Sequence, residues 1–432
     1  MNFVNKLFAA TVGGILMCSA AAVPRGHGGP LDKDDVTSVL GVNIHDLSPS
    51  SSNLDLIQEA GIRWIRMDIG WDQVETTTKG QYNYSAVRPL FDELAERNIG
   101  WIAILGDNNK LYNNINDKPH LLRQGVQEAW ANFAGAIAKE FSQTNTVLFE
   151  MTNEPNGMGG YQNFPEIYSN AVALASNAIH RAKGVVAGPA VANLDYSWLT
   201  KIFENGVLTH IDYLTLHPYR STTPESVAKD YDKVKELVSV YNHPDHALQI
   251  TQGECGYGVN SSADPGIDLA IQAKFAVRMY LTAISKQIFP AIWYDWRSSP
   301  VKDLKAEHMG LVDSNLKPLP GWHAVKAMND LLLGFSFVSN QEVMISVPSL
   351  PDLQDGAISL RNSTHVMVVV WGEIPYKHNV QLKFAVGCWK AYDWMGVEYS
   401  EEICATGGKN HLNVIVQDAP VYLVQGKSAE AA

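Results

Sequence analysis

Two glutamates occupy positions in this 432-residue chain where a charged side chain needs a reason. In Val147-Leu148-Phe149-Glu150-Met151-Thr152-Asn153-Glu154-Pro155, an apolar run that reads as a buried strand ends at Glu154, and Pro155 stops the backbone ladder. In Leu248-Gln249-Ile250-Thr251-Gln252-Gly253-Glu254-Cys255-Gly256, Glu254 again lies at a strand exit, followed by glycines. A glutamate rarely ends an apolar strand unless it is paired or chemically used. Two such carboxylates facing each other offer acid–base and nucleophilic chemistry. One is ionised, and its charge favours the proton on the other.

The elements that must position them follow from the apolar pattern. Eight short runs, Val39–His45, Trp64–Ile69, Trp101–Leu105, Val147–Met151, Val185–Gly188, Tyr213–His217, Leu248–Gly253 and Phe289–Trp293, alternate with helical stripes. One stripe, capped by Ser85 and stopped by Gly100, carries Val87, Leu90, Phe91 and Leu94. Another carries Val126, Trp130, Phe133, Ile137 and Phe141, and Leu269–Lys286 repeats the pattern. Continuous apolar strands, each followed by an amphipathic helix, predict an α/β fold, a (β/α)8 TIM barrel over residues 23–332. An open doubly wound sheet would want a Gly-rich turn after the first strand, which is missing. In the barrel the fourth and seventh strands open on one mouth, so Glu154 and Glu254 face each other. From Leu333 the rhythm changes to period two: Val343–Val347, Gly356–Arg361, His365–Trp371, Val380–Phe384, Trp389–Trp394, Val397–Tyr399 and Leu412–Val416. These predict a C-terminal β-sandwich domain over residues 333–427. It carries no reactive cluster and reads as a packing partner for the barrel, with a role in sugar binding as the alternative.

Asn153-Glu154-Pro155 on the fourth strand, with Glu254 on the seventh, resembles the signature of clan A glycoside hydrolases. Gly70-Trp71-Asp72-Gln73-Val74-Glu75 and the trailing β-domain resemble family 39. Family 5 cellulases are the close alternative: Ile292-Trp293-Tyr294-Asp295-Trp296, Glu307-His308-Met309-Gly310-Leu311-Val312 and Lys317-Pro318-Leu319-Pro320-Gly321-Trp322-His323 are similar to theirs. Cys255 follows Glu254 where family 5 proteins carry Phe. The resemblance implies a retaining O-glycosidase with Glu254 as nucleophile and Glu154 as acid/base, their carboxyls ~5–5.5 Å apart; ~6.5–9.5 Å would imply inversion. It further implies that Asn153 holds a sugar hydroxyl and that His217 and Tyr219 form the clan's His-x-Tyr. Arg66 would keep Glu254 ionised, and Trp293 would be the platform under the sugar ring. His45, Asp68, Trp71, Asp107, Asn108 and Trp296 lie near strand exits and are expected to line the cleft.

The remaining composition narrows compartment and partners. With 46% hydrophobic and 18% charged residues the chain can bury a large core. A net charge of −12 gives nucleic acid and anionic lipid no electrostatic footing. Lys6 followed by the apolar run Leu7–Ala22 reads as a secretory signal peptide over residues 1–22, cut near Ala22, with a lipid anchor on Cys18 as the rival. No later run is long enough to span a bilayer. Cys388 and Cys404 are spaced for a disulfide in an oxidising compartment, and Cys255 reads as a small buried residue. Sequons begin at Asn83, Asn260 and Asn362. A metal-dependent hydrolase would want clustered ligands, whereas His45 stands alone on the first strand and His243-Pro244-Asp245-His246 precedes one. The expectation is a secreted monomer with a carbohydrate substrate and no cofactor or metal. The competing reading is a barrel that binds carbohydrate without turning it over.

Overall fold

The structure, a computed structural model, describes residues 34–426 apart from 115, 143–145, 261–263, 265, 299–307, 341–342, 346–355, 384–386 and 406–410. The signal peptide, Cys18, Glu307, parts of the Asn260 sequon and the ends of the strands expected at Val343–Val347 and Val380–Phe384 lie outside the described residues.

Eight parallel strands close into a barrel in chain order: β1 (Leu40–Asn43), β2 (Trp64–Ile69), β3 (Gly100–Leu105), β4 (Val147–Met151), β5 (Val185–Ala192), β6 (Tyr213–His217), β7 (Gln249–Cys255) and β8 (Ala291–Trp293). Closure is by β8 on β1, with Val42 opposite Trp293. Helices cover the outside. Gln124–Phe141 buries the expected stripe of Val126, Trp130, Phe133, Ile137 and Phe141. Leu269–Lys286 starts where the Asp268 carboxylate accepts from the backbone N–H groups of Ala270 and Ile271. Ser85 is not a cap: that helix begins at Arg88, because Pro89, which has no N–H to lose, fits its first turn.

The barrel lumen is layered by the two-residue period of its strands. At the bottom Trp64, Ile102, Leu148, Ala187, Tyr213 and Ile292 form a separate apolar cluster. Two residues further along β2 and β4 stand Arg66 and Glu150, fully buried. Two further along β2 comes Asp68, and His217 tops β6. Strand β7 breaks the alternation. Its register against β8 shifts between Gln252 and Cys255, and this extra residue leaves Gln252 and Cys255 on the helix side while Glu254 turns into the lumen.

The last barrel helix, Pro320–Leu332, leads into antiparallel strands, nine among the described residues. These are β9 (Ser336–Asn340), β10 (Val343–Ile345), β11 (Gly356–Arg361), β12 (His365–Trp371), β13 (His378–Lys383), β14 (Cys388–Tyr392), β15 (Ile403–Cys404), β16 (His411–Val416) and β17 (Pro420–Gly426). A six-stranded sheet in the order β15-β14-β17-β12-β11-β9 faces a three-stranded one, β10-β13-β16. Between them lie Val368, Val370, Val380, Leu382, Leu412, Val414 and Leu423. The opposite face of the large sheet, with Ile358, Met367, Val369, Trp371 and Tyr422, joins the core that packs the barrel and its helices. Residues Val397–Tyr399, expected as a strand, form an isolated bridge at Glu398 to Tyr392 rather than a strand. Strands β9, β15 and β17 were not expected. Among the described residues no helix is long and apolar enough to cross a membrane.

Candidate active site

Arg66 is the hub of the mouth. Its Nε and Nη2 donate to Glu150 Oε1, Nη1 donates to Asn43 Oδ1 and Glu254 Oε1, and Nη2 also donates to Asn153 Oδ1. These five bonds use every N–H of the guanidinium. Burial alone would lower its pKa, but Glu150 and Glu254 more than reverse this, so the charge is permanent. Because a guanidinium only donates, Asn43 and Asn153 must turn their oxygens toward it. The amide N–H groups of Asn153 therefore point away from Arg66 and are available to a ligand hydroxyl.

Glu254 receives donors on both oxygens, Arg66 at Oε1 and the Tyr219 hydroxyl at Oε2, the latter at 2.9 Å. His217 Nδ1 lies 3.2 Å from Glu154 Oε1 and 3.7 Å from Glu254 Oε2. Ligand atoms of Glu154, His217 and Glu254 all fall within 4.8 Å of one another. Burial would push the Glu254 carboxyl up, yet His217, Arg66 and the Tyr219 hydroxyl together hold it below the usual range. The Tyr219 hydroxyl is pushed well up by burial and the adjacent carboxylate, so it stays a donor. The two carboxylates thus differ in surroundings: Glu254 is gripped from two sides, while among the described residues the side chain that bonds Glu154 is the imidazole of His217.

Backbone geometry delivers both. Glu154 sits in the left-handed region at φ 44°. Its N–H donates to the Ala190 carbonyl, and its own carbonyl accepts from Gly157 and Gly159. Such a conformation costs a glutamate on the order of 1–3 kcal/mol and needs this external support. On β7, Gly253 makes room for the imidazole: a Cβ there would lie 2.3 Å from the Thr215 side chain and 3.0 Å from His217 Nε2.

Of the other expected residues, His45 reaches the site, bonding to Asn43 and lying 3.4 Å from Asp295. The Asp295 contact, opposed by burial, raises its pKa. Asp68 opens to solvent at the mouth but is crowded by protein on its other sides, and this desolvation raises its pKa against the pull of Arg66. Asp107 accepts from the Tyr161 hydroxyl at 2.6 Å, and Asn108 is half-buried beside it.

Three aromatic expectations need correction. Trp293 is 0% exposed, its Nε1 donates to the Met309 carbonyl and its ring lies against Tyr257, so no sugar can stack on it. Because Ile292 fills the lumen, the next inward position is Tyr294, which packs edge-on to both Tyr219 and His45. Trp71 is also 0% exposed, stacked on Tyr112 and Phe133 with its Nε1 on Glu75. Trp296 is buried too, its Nε1 on Asn53 Oδ1. Glu150, Asn43, Tyr294 and Asp295 are the participants that sequence reasoning left out. The signal for Glu150 was its place two residues after Leu148 in a strand otherwise apolar.

Glu154, His217 and Glu254 are close enough to share a cation, but both Glu254 oxygens already accept from Arg66 and Tyr219. A divalent ion there would also stand against the guanidinium, so the donor set suits a carboxylate pair better than a metal. Cys255 turns away, with its Sγ 3.8 Å from the Pro218 carbonyl and its thiol pushed up to about 12 by burial. The Cys388–Cys404 disulfide is formed.

Solved structures share this architecture. A family 39 glycoside hydrolase from the gut symbiont Bacteroides cellulosilyticus matches with a TM-score of 0.72 at 19% identity, over 91% of this chain and 82% of that one. A family 39 β-xylosidase from Caulobacter crescentus gives 0.62 at 15% identity over 93% and 98%. A family 30 endoxylanase from Clostridium papyrosolvens gives 0.65 at 12% over 91% and 97%. No curated protein sequence matches the chain. The model of the family described as cellulase (glycosyl hydrolase family 5) matches residues 32–299, well over half of the chain. This protein, a barrel whose mouth holds two differently dressed glutamates, therefore belongs to glycosyl hydrolase family 5, within the clan A glycoside hydrolases.

Proposed function

We propose that the protein is a secreted retaining glycosidase that cleaves β-glycosidic bonds of a polysaccharide or oligosaccharide by double displacement, with Glu254 as nucleophile and Glu154 as acid/base. The observation that carries the reading is the asymmetry of the pair. Two carboxylates lie with oxygens within 4.8 Å, and only Glu254 receives the guanidinium and the phenol. That spacing fits the ~5–5.5 Å carboxyl separation of retention rather than the wider gap that leaves room for an inverting water.

In the first step Glu254 attacks the anomeric carbon, the glycosidic C–O bond breaks, and the proton of Glu154 moves to the leaving oxygen. In the second, Glu154 takes a proton from water, the resulting oxygen nucleophile attacks the same carbon, and the glycosyl–Glu254 ester bond breaks to restore the carboxylate. Arg66 and Tyr219 set the charge and orientation of Glu254, His217 spans both carboxylates, and Asn153 offers N–H donors to a sugar hydroxyl. Tyr294, half-buried at the mouth, is better placed than Trp293 to meet the ring. The Cys388–Cys404 bridge fits an oxidising compartment, in line with secretion.

Glu254→Ala tests the assignment on a panel of aryl glycosides and of glucan, xylan and mannan. The expected result is loss of turnover with sugar binding retained, and no response of the wild type to a chelator. Wild-type protein inert on the whole panel would instead favour a carbohydrate-binding barrel.

A further inference from the structure

On the side of the molecule where the sandwich meets the barrel, a second cleft of about 440 Å³ opens. This lies within the roughly 300–1,000 Å³ typical of ligand sites. Its lining includes Trp394, Tyr399, Asp393 and Lys377 from the sandwich, Lys274 from the barrel helix Leu269–Lys286, and Asp418 from the turn before β17. None of these residues takes part in the chemistry described above. We propose that this cleft is a second carbohydrate site that holds an uncharged stretch of a polysaccharide chain while the barrel mouth works on another stretch. The proposal rests on the glycosidase reading for the class of ligand, and on the cleft's own build for its existence.

Two properties of the cleft select such a ligand. First, the lining balances two ammonium groups against two carboxylates, and Lys274 Nζ already bonds Asp418 Oδ1 at 2.9 Å. A charged polymer would gain on one pair and lose on the other, whereas hydroxyl groups can use both kinds of partner. Second, two aromatic rings stand beside the aliphatic Ile415, Pro420 and Val421 in the apolar part: Tyr399 is 41% exposed, and Trp394 packs partly on the core shared by barrel and sheet while also lining the cleft. Flat rings flanked by hydrogen-bonding groups suit the C–H faces and equatorial hydroxyls of pyranose rings.

The loop that presents these groups is held rigid in advance. Asp393 Oδ1 accepts from the N–H groups of Met395 and Val397, and the Asp393 carbonyl accepts from Gly396. The N–H of Tyr399 donates to the Ala391 carbonyl. Gly396, at φ 80°, lies against the helix Pro320–Leu332, where an added Cβ would meet Ala327 Cβ at 3.3 Å. The Cys388–Cys404 disulfide closes the base of the same segment. A pre-ordered loop loses little freedom on binding, which favours affinity for a weakly held ligand.

The test uses the full chain and particles of cellulose, insoluble xylan and insoluble mannan. Wild type, Tyr399→Ala and, as a second variant, Trp394→Ala are compared for retention on the particles and for kcat/KM on a soluble aryl glycoside. The expected result is retention on at least one polymer that falls roughly fivefold or more in the variants, as loss of an aromatic contact would give. Activity on the small substrate should stay within about twofold. Retention unchanged in both variants, no retention of the wild type on any polymer, or a parallel fall in small-substrate activity would each overturn the proposal. Retention is read without turnover, so an inert barrel would sink the glycosidase reading while leaving the cleft testable.

Discussion

The phenolic hydroxyl of Tyr219 donates to Oε2 of Glu254 across 2.9 Å, and among the described residues no other side chain donates a hydrogen bond to that oxygen. This bond helps hold Glu254 below the ordinary carboxylate range. Tyr219→Phe removes it while keeping the ring. A hydrogen bond to a charged group is worth about 1.5–3 kcal/mol, so kcat/KM should fall on the order of 10- to 100-fold. The acid limb of the pH–rate profile should move to higher pH, because the carboxylate becomes harder to ionise. An unmoved acid limb would count against this role.

Glu154→Gln should distinguish acid catalysis from mere proximity. Substrates with a poor leaving group should lose about 10²–10⁴-fold in rate, since their departing oxygen needs the proton. Aryl glycosides whose phenol leaves unaided should lose much less in the first step. Equal losses across a series of leaving groups would contradict the assignment of Glu154 as acid.

Arg66→Met leaves two buried carboxylates, Glu150 and Glu254, without their cation. Breaking a buried ionic cluster from one side costs about 3–5 kcal/mol. The urea midpoint should fall accordingly at neutral pH. Acidification should narrow the gap to wild type, because protonation relieves the stranded charges.

Stability of the wild type should show the matching linkage. The folded-state pKa of Glu254 lies below its unfolded value, so the stabilising contribution is fully present above the ordinary glutamate range, about 4.3. It is lost as pH falls through the lower folded-state value. Chemical denaturation at a series of acid pH values checks this; a gain in stability on acidification, with the other carboxylates accounted for by Glu254→Gln, would contradict it.

Cys255 should resist alkylation in the native protein. It is buried and its thiol is pushed up to about 12, leaving almost no thiolate at neutral pH. Mass spectrometry after treatment with iodoacetamide should find Cys255 modified only when denaturant is present.

Much of this site could be read from residue order because a barrel turns strand position into spatial position. Val147–Met151, Trp64–Ile69 and Tyr213–His217 have the strand bounds expected of them, and the side chains that leave them, Glu154, Arg66 and His217, meet at one mouth. What escaped was the direction of individual side chains. Strict alternation along β7 would put Glu254 on the same side as Gln252, which bonds Tyr231 on the outer helix; the bulge that separates them is signalled in the sequence by Gly253 alone, which says neither where the extra residue falls nor which way Glu254 then points. The indole of Trp293 suits a sugar platform by residue type, yet one step along β8 decides between lumen and outer layer, and Ile292 holds the inward place. β17 begins at Pro420, a residue that argues against a strand, and its place between β12 and β14 is a long-range pairing that local pattern does not report.

The large sheet of the C-terminal region is apolar on both sides, with Val368 and Val370 toward its partner sheet and Met367, Val369 and Trp371 toward the barrel. A sheet of that kind cannot be unplugged like a cassette. Cutting the chain after Leu332 to obtain a minimal enzyme would strip cover from apolar barrel surface and expose a sticky flank prone to self-association. For protein engineering the practical unit is thus the whole described chain, and gene fusions should be made beyond β17 rather than at the apparent seam.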